Sequence, residues 1–245
     1  MSFNPQHNSS YRIKRVVIDA GHGGKDPGAL GSFSKEKDIA LAIALKVGNI
    51  INENLKDVEV VYTRDKDVFI PLHERSDIAN KNDADLFISI HANAQKGGKT
   101  AFGTETYIMG AHTSERNLEI AKKENSVILL EENHEEIYEG FDPNSPESYI
   151  LFSLYQNAYF HNSLKLADLI EDQFKNRVKR HSRGVKQAGL LVLWRSAMPS
   201  VLVEVGFLSN LNEEKYLNND LNQSYIASAI FRAVRDYKEE VESSN

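Results

Sequence analysis

Val16-Val17-Ile18-Asp19-Ala20-Gly21-His22-Gly23-Gly24 reads as a buried strand that runs into a glycine-rich turn with a histidine at its mouth. Two more segments share the form: Leu86-Phe87-Ile88-Ser89-Ile90-His91-Ala92-Asn93 and Val201-Leu202-Val203-Glu204-Val205-Gly206-Phe207. Runs of Val, Ile and Leu bounded by Gly or polar residues mark strands buried in an α/β sheet. Ligands of open α/β sheets collect at the carboxyl ends of such strands. Two imidazoles and a carboxylate delivered to one sheet edge point to a metal-dependent hydrolase.

Outward from these runs, strands and helices alternate. Ile13 to Asp19 is the expected first strand and Val58 to Thr63 the second. Leu86 to His91 is a central strand, followed by one from Thr104 to Met109. Ser34 is placed to cap a helix carrying Ile39, Ile43, Val47, Ile50 and Ile51 on one face. Pro71 opens a helix that runs to Lys81. The pattern is mostly helical from Thr113 to about Arg180. Gly189 to Leu193 and Val201 to Val205 return to the sheet, and Tyr225 to Val241 forms an amphipathic closing helix. The alternation predicts one α/β domain over residues 13–241, with helices on both faces of its sheet. Residues 1–12 read as a disordered or trimmed tail.

Bulk properties narrow the function. A chain of 245 residues with 41% hydrophobic content can bury one large core. No apolar stretch approaches the roughly 20 residues that span a bilayer. Met1 to Tyr11 is polar, without the apolar region of a signal peptide, which fits a cytoplasmic protein or an exported one whose leader has been removed. The chain has no cysteine, so a metal must be held by His, Asp or Glu. A net charge of −6 with dispersed Lys and Arg argues against nucleic acid as the main partner.

A catalytic zinc site takes three protein ligands and keeps a position open for water. His22 and His91 supply two, and Glu36, in Ser34-Lys35-Glu36-Lys37-Asp38, is the obvious third. Glu204 is then placed to act as a general base that passes a proton to the leaving nitrogen. Each has a plainer role when taken alone. A histidine after a strand is often a hydrogen-bonded loop residue, and Glu36 suits the first turn of a helix electrostatically. Glu204, between two valines, needs a metal or an ion-pair partner. Asp19 reads as a structural acceptor for the glycine-rich loop. Asn93 either meets substrate or holds its loop, and Arg195 either meets a substrate carboxylate or lies on the surface. His73 stabilises a helix start or faces solvent; His7, His112, His134, His161 and His181 read as tail or surface residues.

The motifs in combination are more specific. Asp19 to Gly24 with Asp26-Pro27-Gly28-Ala29, then Glu36-Lys37, then Ser89 to Asn93, then Val203 to Asn210, resemble the zinc-dependent N-acetylmuramoyl-L-alanine amidases. Thr63-Arg64-Asp65, Leu72 to Arg75, Asp85-Leu86-Phe87 and Met198 to Leu202 match as well, so the resemblance covers about residues 13–238. It implies a mixed, mostly parallel central sheet, one Zn2+ held by His22, Glu36 and His91, and Glu204 as catalytic acid/base. It also implies hydrolysis of the amide joining the lactyl group of N-acetylmuramic acid to L-alanine of peptidoglycan, in the cell envelope and specifically the periplasm.

Residues 124–150 are strongly acidic and interrupt the α/β alternation, as an insertion does. Some amidases used in daughter-cell separation carry a helical segment in this interval that covers the site until an activator, often of LytM type, displaces it. The resemblance makes this stretch a regulatory candidate. Glu131 with Glu135, and Glu132 with Glu136, share helix faces and are candidate blocking carboxylates. The alternative is a solvated acidic helix. For the whole chain, the alternatives are a peptidase or deacetylase with the same metal logic, or a catalytically silent peptidoglycan-binding protein.

Overall fold

Alternation along a strand sends successive side chains to opposite faces of a sheet, and here the two faces carry different chemistry. The computed structural model describes residues 12–95, 98–111, 114–145, 147–149 and 158–243. Its six strands are β1 (Arg15–Ala20), β2 (Glu59–Tyr62), β3 (Leu86–Asn93), β4 (Thr104–Met109), β5 (Ser182–Ala188) and β6 (Ser200–Phe207), in the order β2-β1-β3-β6-β4-β5. All neighbours are parallel except β4 and β6. The helices are α1 (Glu36–Asn54), α2 (Leu72–Lys81), α3 (Glu115–Asn125), α4 (His134–Ile137), α5 (Phe160–Asn176), α6 (Leu191–Trp194), α7 (Leu211–Leu217) and α8 (Asp220–Ser243). The expected single α/β domain, with a mixed, mostly parallel sheet flanked on both faces, is what the chain forms. Among the described residues, no helix is long and apolar enough to cross a membrane.

One face is mostly apolar, its polar exception being Thr104 and Thr106, which donate to the buried Glu171 of α5 at 3.0 and 2.7 Å. Val16, Ile18, Ile88, Ile90, Val201, Val203 and Val205 pack there against Ile39, Ile43 and Val47 of α1, Ile170 and Phe174 of α5, and Ile230 and Val234 of α8. The opposite set, Val17, Phe87 and Leu202, packs under Leu72 and Ala79 of α2, Ile120 of α3 and Leu191 to Leu193 of α6. Asp19, Ser89, His91 and Glu204 share the parity of this second set, so the polar residues of β1, β3 and β6 all face α2 and α3. In the β3–β6 ladder His91 lies opposite Glu204. The first face packs mainly by apolar contact; the second, mixed face gathers the polar side chains of β1, β3 and β6.

Three expectations need correction. Gly189 to Leu193 is not a strand: Leu191–Trp194 is a helical turn that buries Leu191, Val192 and Leu193. The edge strand lies earlier, at Ser182–Ala188, where pairing on one side only leaves six of its residues half-buried and its sequence polar. Helix therefore ends with α5 instead of running to Arg180. Ser34 does not cap α1; Lys35 holds that position without a side-chain bond, while the Ser34 hydroxyl donates to Glu214 at 2.8 Å. The proposed tail, His7 and His112 fall wholly or mainly outside the described residues.

Arg75 of α2 ties the mixed face together. It is 1% exposed and donates to Asp19 at 2.8 Å and to the carbonyls of Ala20, His22 and Ile70. Asp19 also accepts from Thr63 and Ser89. It is thus the anion of a buried network, and it supports the glycine-rich loop through Arg75. Removing one partner of a buried ion pair strands the other, so Arg75→Ala should lower the unfolding free energy by about 3–5 kcal/mol in urea titrations. A loss under about 1 kcal/mol would contradict this role.

Candidate metal centre

The loop after β1 must turn sharply to bring the start of α1 back over the sheet edge. His22 does this with φ 59°, in the left-handed region that few side chains other than Asn, Asp and His enter. Arg75 holds its carbonyl at 2.8 Å, and Arg64 holds those of Ala20 and Gly21. Gly28, at φ 64°, passes so close that a Cβ would lie 2.6 Å from the His22 ring and 2.8 Å from Glu36. A Cβ on Gly21 would collide with the ring of His91. The loop closes where Glu36 N donates to Ala29 O at 2.9 Å and the Glu36 carboxylate accepts from Ala29 N at 2.7 Å and Ala92 N at 2.9 Å.

These contacts bring His22, Glu36 and His91 together with Glu124, the second-last residue of α3; all four are buried, and one ligand atom from each lies within 4.8 Å of the others. His22 Nε2 stands 3.2 Å from Glu36 Oε1 and 3.4 Å from Glu124 Oε2. His91 Nδ1 stands 3.0 and 3.1 Å from the same two oxygens. Tetrahedral ligands at about 2.0–2.2 Å from a zinc-sized ion would be separated by about 3.3–3.6 Å. His22 Nε2 and Glu124 Oε2 nevertheless have no hydrogen-bond partner among the described residues. Two imidazoles and two carboxylates so arranged fit a divalent cation, with Asp26 accepting from His22 Nδ1 at 2.7 Å on the far side of the ring.

The electrostatics agree. Burial disfavours the charged form of His22, yet the Glu36 charge and the bond to Asp26 outweigh it and hold His22 well above the usual imidazole range. His91 is likewise raised, to about 9, by Glu124 and Glu36 against the cost of burial. Against that same cost, His22 and Lys123 hold Glu36, and Lys123 and His91 hold Glu124, well below the usual carboxylate range. The carboxylates draw positive charge to one point. A metal ion would supply it while leaving the imidazoles neutral.

Glu204 behaves differently. It is fully buried and neither oxygen has a hydrogen-bond partner among the described residues. Burial first, then the nearby charges of Glu36 and Glu124, pushes its carboxyl well above the usual range. The ion pair that would have explained it structurally is not made among the described residues.

Helix α3 closes the site. Ser114 caps it, accepting from Asn117 N at 3.2 Å, and Asn117, Ile120, Ala121, Glu124 and Asn125 form its buried side. Asn125 bonds Gly189 O and Leu191 N beneath it. Lys123 lies 2.9 Å from Glu124 and 3.3 Å from Glu36. The cavity lined by His22, His91 and Glu124 measures about 10 Å³, room for one water at most.

The acidic candidates from the sequence are elsewhere. Glu131 is buried, but it accepts from Leu72 N at 2.7 Å and Tyr138 at 2.8 Å and lies 3.3 Å from His73, so it anchors the acidic segment to the start of α2. Glu132, Glu135 and Glu136 are exposed. The carboxylate at the centre is Glu124, which shares an apolar stripe with Ile120 and Ala121. That spacing, and not acidity, was the usable signal. Asn93 donates to the buried Glu105 at 3.0 Å. Arg195 stacks on Trp194 and donates to Ile137 O at 3.0 Å, among the residues after α3 and not at the centre. His134 is half-buried; His161 and His181 are exposed.

The family model described as N-acetylmuramoyl-L-alanine amidase matches residues 16–236. The chain is 37% identical over 237 residues to AmiA of Escherichia coli K12, covering 95% of this chain and 79% of AmiA. It is 35% identical over 243 residues to AmiC of E. coli O6:H1, where it spans 95% of this chain and only 55% of the relative. The crystal structure of an N-acetylmuramoyl-L-alanine amidase from Clostridium difficile 630 superposes with TM-score 0.70 at 30% identity, covering 94% of this chain and 98% of that one.

Dialysis against Zn2+ or Co2+ should load one ion per chain, and His91→Ala should load none. Asp26→Asn should keep the one-to-one ratio with affinity weakened about 10–100-fold, since it leaves the ligands and removes the carboxylate that orients His22. Equal affinity would remove Asp26 from the centre.

Proposed function

The chain belongs to the N-acetylmuramoyl-L-alanine amidase family, and from that premise we propose that it hydrolyses the amide between the lactyl group of N-acetylmuramic acid and L-alanine of the peptidoglycan stem peptide. His22, Glu36 and His91 would hold a zinc ion, and Glu204 is the acid/base. The observation that carries this reading is the set of 3.0–3.4 Å separations among buried donor atoms, one strand away from a carboxylate with no other task. Zinc, when bound, supplies a Lewis acid for the carbonyl and lowers the pKa of water toward about 7. Glu204 takes the proton from the attacking water and returns it to the alanine nitrogen as the C–N bond breaks. Arg75 and Asp26 keep His22 in place, and the apolar wall of Leu72 and Val192 excludes bulk water.

Glu124 makes the chain self-inhibited. Its carboxylate lies 3.4 Å from His22 and 3.1 Å from His91, with Lys123 beside it at 2.9 Å, so it would compete with water for a bound metal. Activity then depends on lifting α3, the task of an activator of LytM type at the cell envelope, in the periplasm. The controlling element thus begins before residue 124, at the start of α3.

The test is mass spectrometry of products from intact peptidoglycan and zinc-loaded protein. The parent should be slow. Glu124→Ala should be at least about tenfold faster and release stem peptides with a free L-alanine amino terminus, beside glycan stripped of peptide. In that background Glu204→Ala should keep zinc and lose about 100-fold or more in turnover. Cleavage at another bond would overturn the amidase reading, and equal rates for parent and Glu124→Ala would overturn the inhibition.

A further inference from the structure

Glu105, near the start of β4 and opposite Glu204 in the antiparallel ladder, is fully buried amid more positive charge than it can neutralise. Arg116 donates to both of its oxygens at 3.1 and 3.0 Å, Arg183 at 3.2 Å and Lys186 at 2.5 Å. Glu105 is the one carboxylate within ion-pair distance of each cation among the described residues. Three cations against one anion leave an excess of two charges. The anion is sealed, whereas the side chains of Arg116, Arg183 and Lys186 are 32%, 24% and 17% exposed. A structural ion pair needs one cation; the surplus faces outward, and the rings of Phe207 and Tyr107 support it.

The same carboxylate orients Asn93. A carboxylate only accepts, so the Asn93 Nδ2 must face Glu105, and its Oδ1 must face away. That oxygen is buried and has no hydrogen-bond partner among the described residues. Asn93, Arg116, Lys123 and Phe207 line a cleft of about 570 Å³, into which exposed Glu115 and Glu119 of α3 also project without an ion pair to the cations. Along α3, Arg116 precedes Glu124 by about 12 Å. An extended peptide covers roughly 10 Å in three residues, so the cluster lies within reach of a stem peptide whose scissile amide is at the metal centre.

We propose that Asn93, Arg183 and Lys186 form a subsite for the stem peptide beyond the scissile amide. Asn93 Oδ1 accepts a peptide N–H, and the cations bind a free carboxylate. The inference rests on the amidase reading. In a stem peptide, the residue after L-alanine is D-glutamate joined through its side chain, so its α-carboxylate is the first negative charge past the cleaved bond. Arg183 and Lys186 belong to β5 and stay with the sheet when α3 lifts. Charge-assisted bonds to carboxylate make this group a specificity determinant, not only an anchor.

The experiment compares kcat/KM for N-acetylmuramyl-L-alanyl-D-glutamate γ-methylamide, whose α-carboxylate is its free charge beyond the scissile amide, and the corresponding α-amide, using zinc-loaded Glu124→Ala protein. The free acid should be favoured by about tenfold or more, mainly through KM. Arg183→Gln combined with Lys186→Gln should bring the ratio close to one, while Asn93→Ala should slow both substrates and keep the ratio. A ratio near one in the parent, or one that survives loss of both β5 cations, overturns the subsite and leaves the amidase intact. Hydrolysis of neither substrate overturns the amidase reading, and the subsite with it.

Discussion

Two imidazoles and two carboxylates meet in a place with almost no access to water, and everything around them answers the cost of that meeting. Carboxylates stripped of solvent repel one another unless positive charge lies between or beside them. Here Lys123 supplies part of it from one side, and the raised histidines signal the demand for more. A divalent cation would meet that demand in the space that the four donor atoms outline. Asp26 behind His22 and the amide N–H groups at Glu36 fix the donors from outside.

The sheet makes the meeting possible. Parallel pairing of β1, β3 and β6 brings His22, His91 and Glu204 to one edge, and the pleat turns His91 and Glu204 to the same face. The single antiparallel strand β4 reverses that logic. Its beginning, not its end, lies at the active edge, which puts Glu105 opposite Glu204. Arg75 and Arg64 then cross-brace the glycine-rich loop so that His22 can keep a left-handed backbone.

Much of this was readable from residues alone, for identifiable reasons. His22, His91 and Glu204 stand out because a polar group ending or interrupting a run of Val and Ile has few explanations. Glu36 follows from the glycine-rich loop, which can bring the start of α1 back over the strand that ends at His22. β5 was missed because an edge strand is half-solvated and reads as polar, whereas the apolar stretch after it buries itself as a helical turn. Glu124 was hidden among several glutamates of similar local composition. Its placement on the buried stripe of α3 separates it from Glu132, Glu135 and Glu136, which face solvent, and from Glu131, which caps α2. Glu105 gave no sign, since its role depends on cations 11, 78 and 81 residues away in sequence.

The central claim is that one cation sits among His22, Glu36, His91 and Glu124 and that Glu124 closes its coordination. Anomalous diffraction from crystals of the zinc-loaded chain tests this most directly. The account predicts a single zinc peak bonded to His22 Nε2, His91 Nδ1, Glu36 and Glu124, with α3 seated and no water on the metal. A zinc bound elsewhere, or one carrying water with Glu124 turned away, would contradict it.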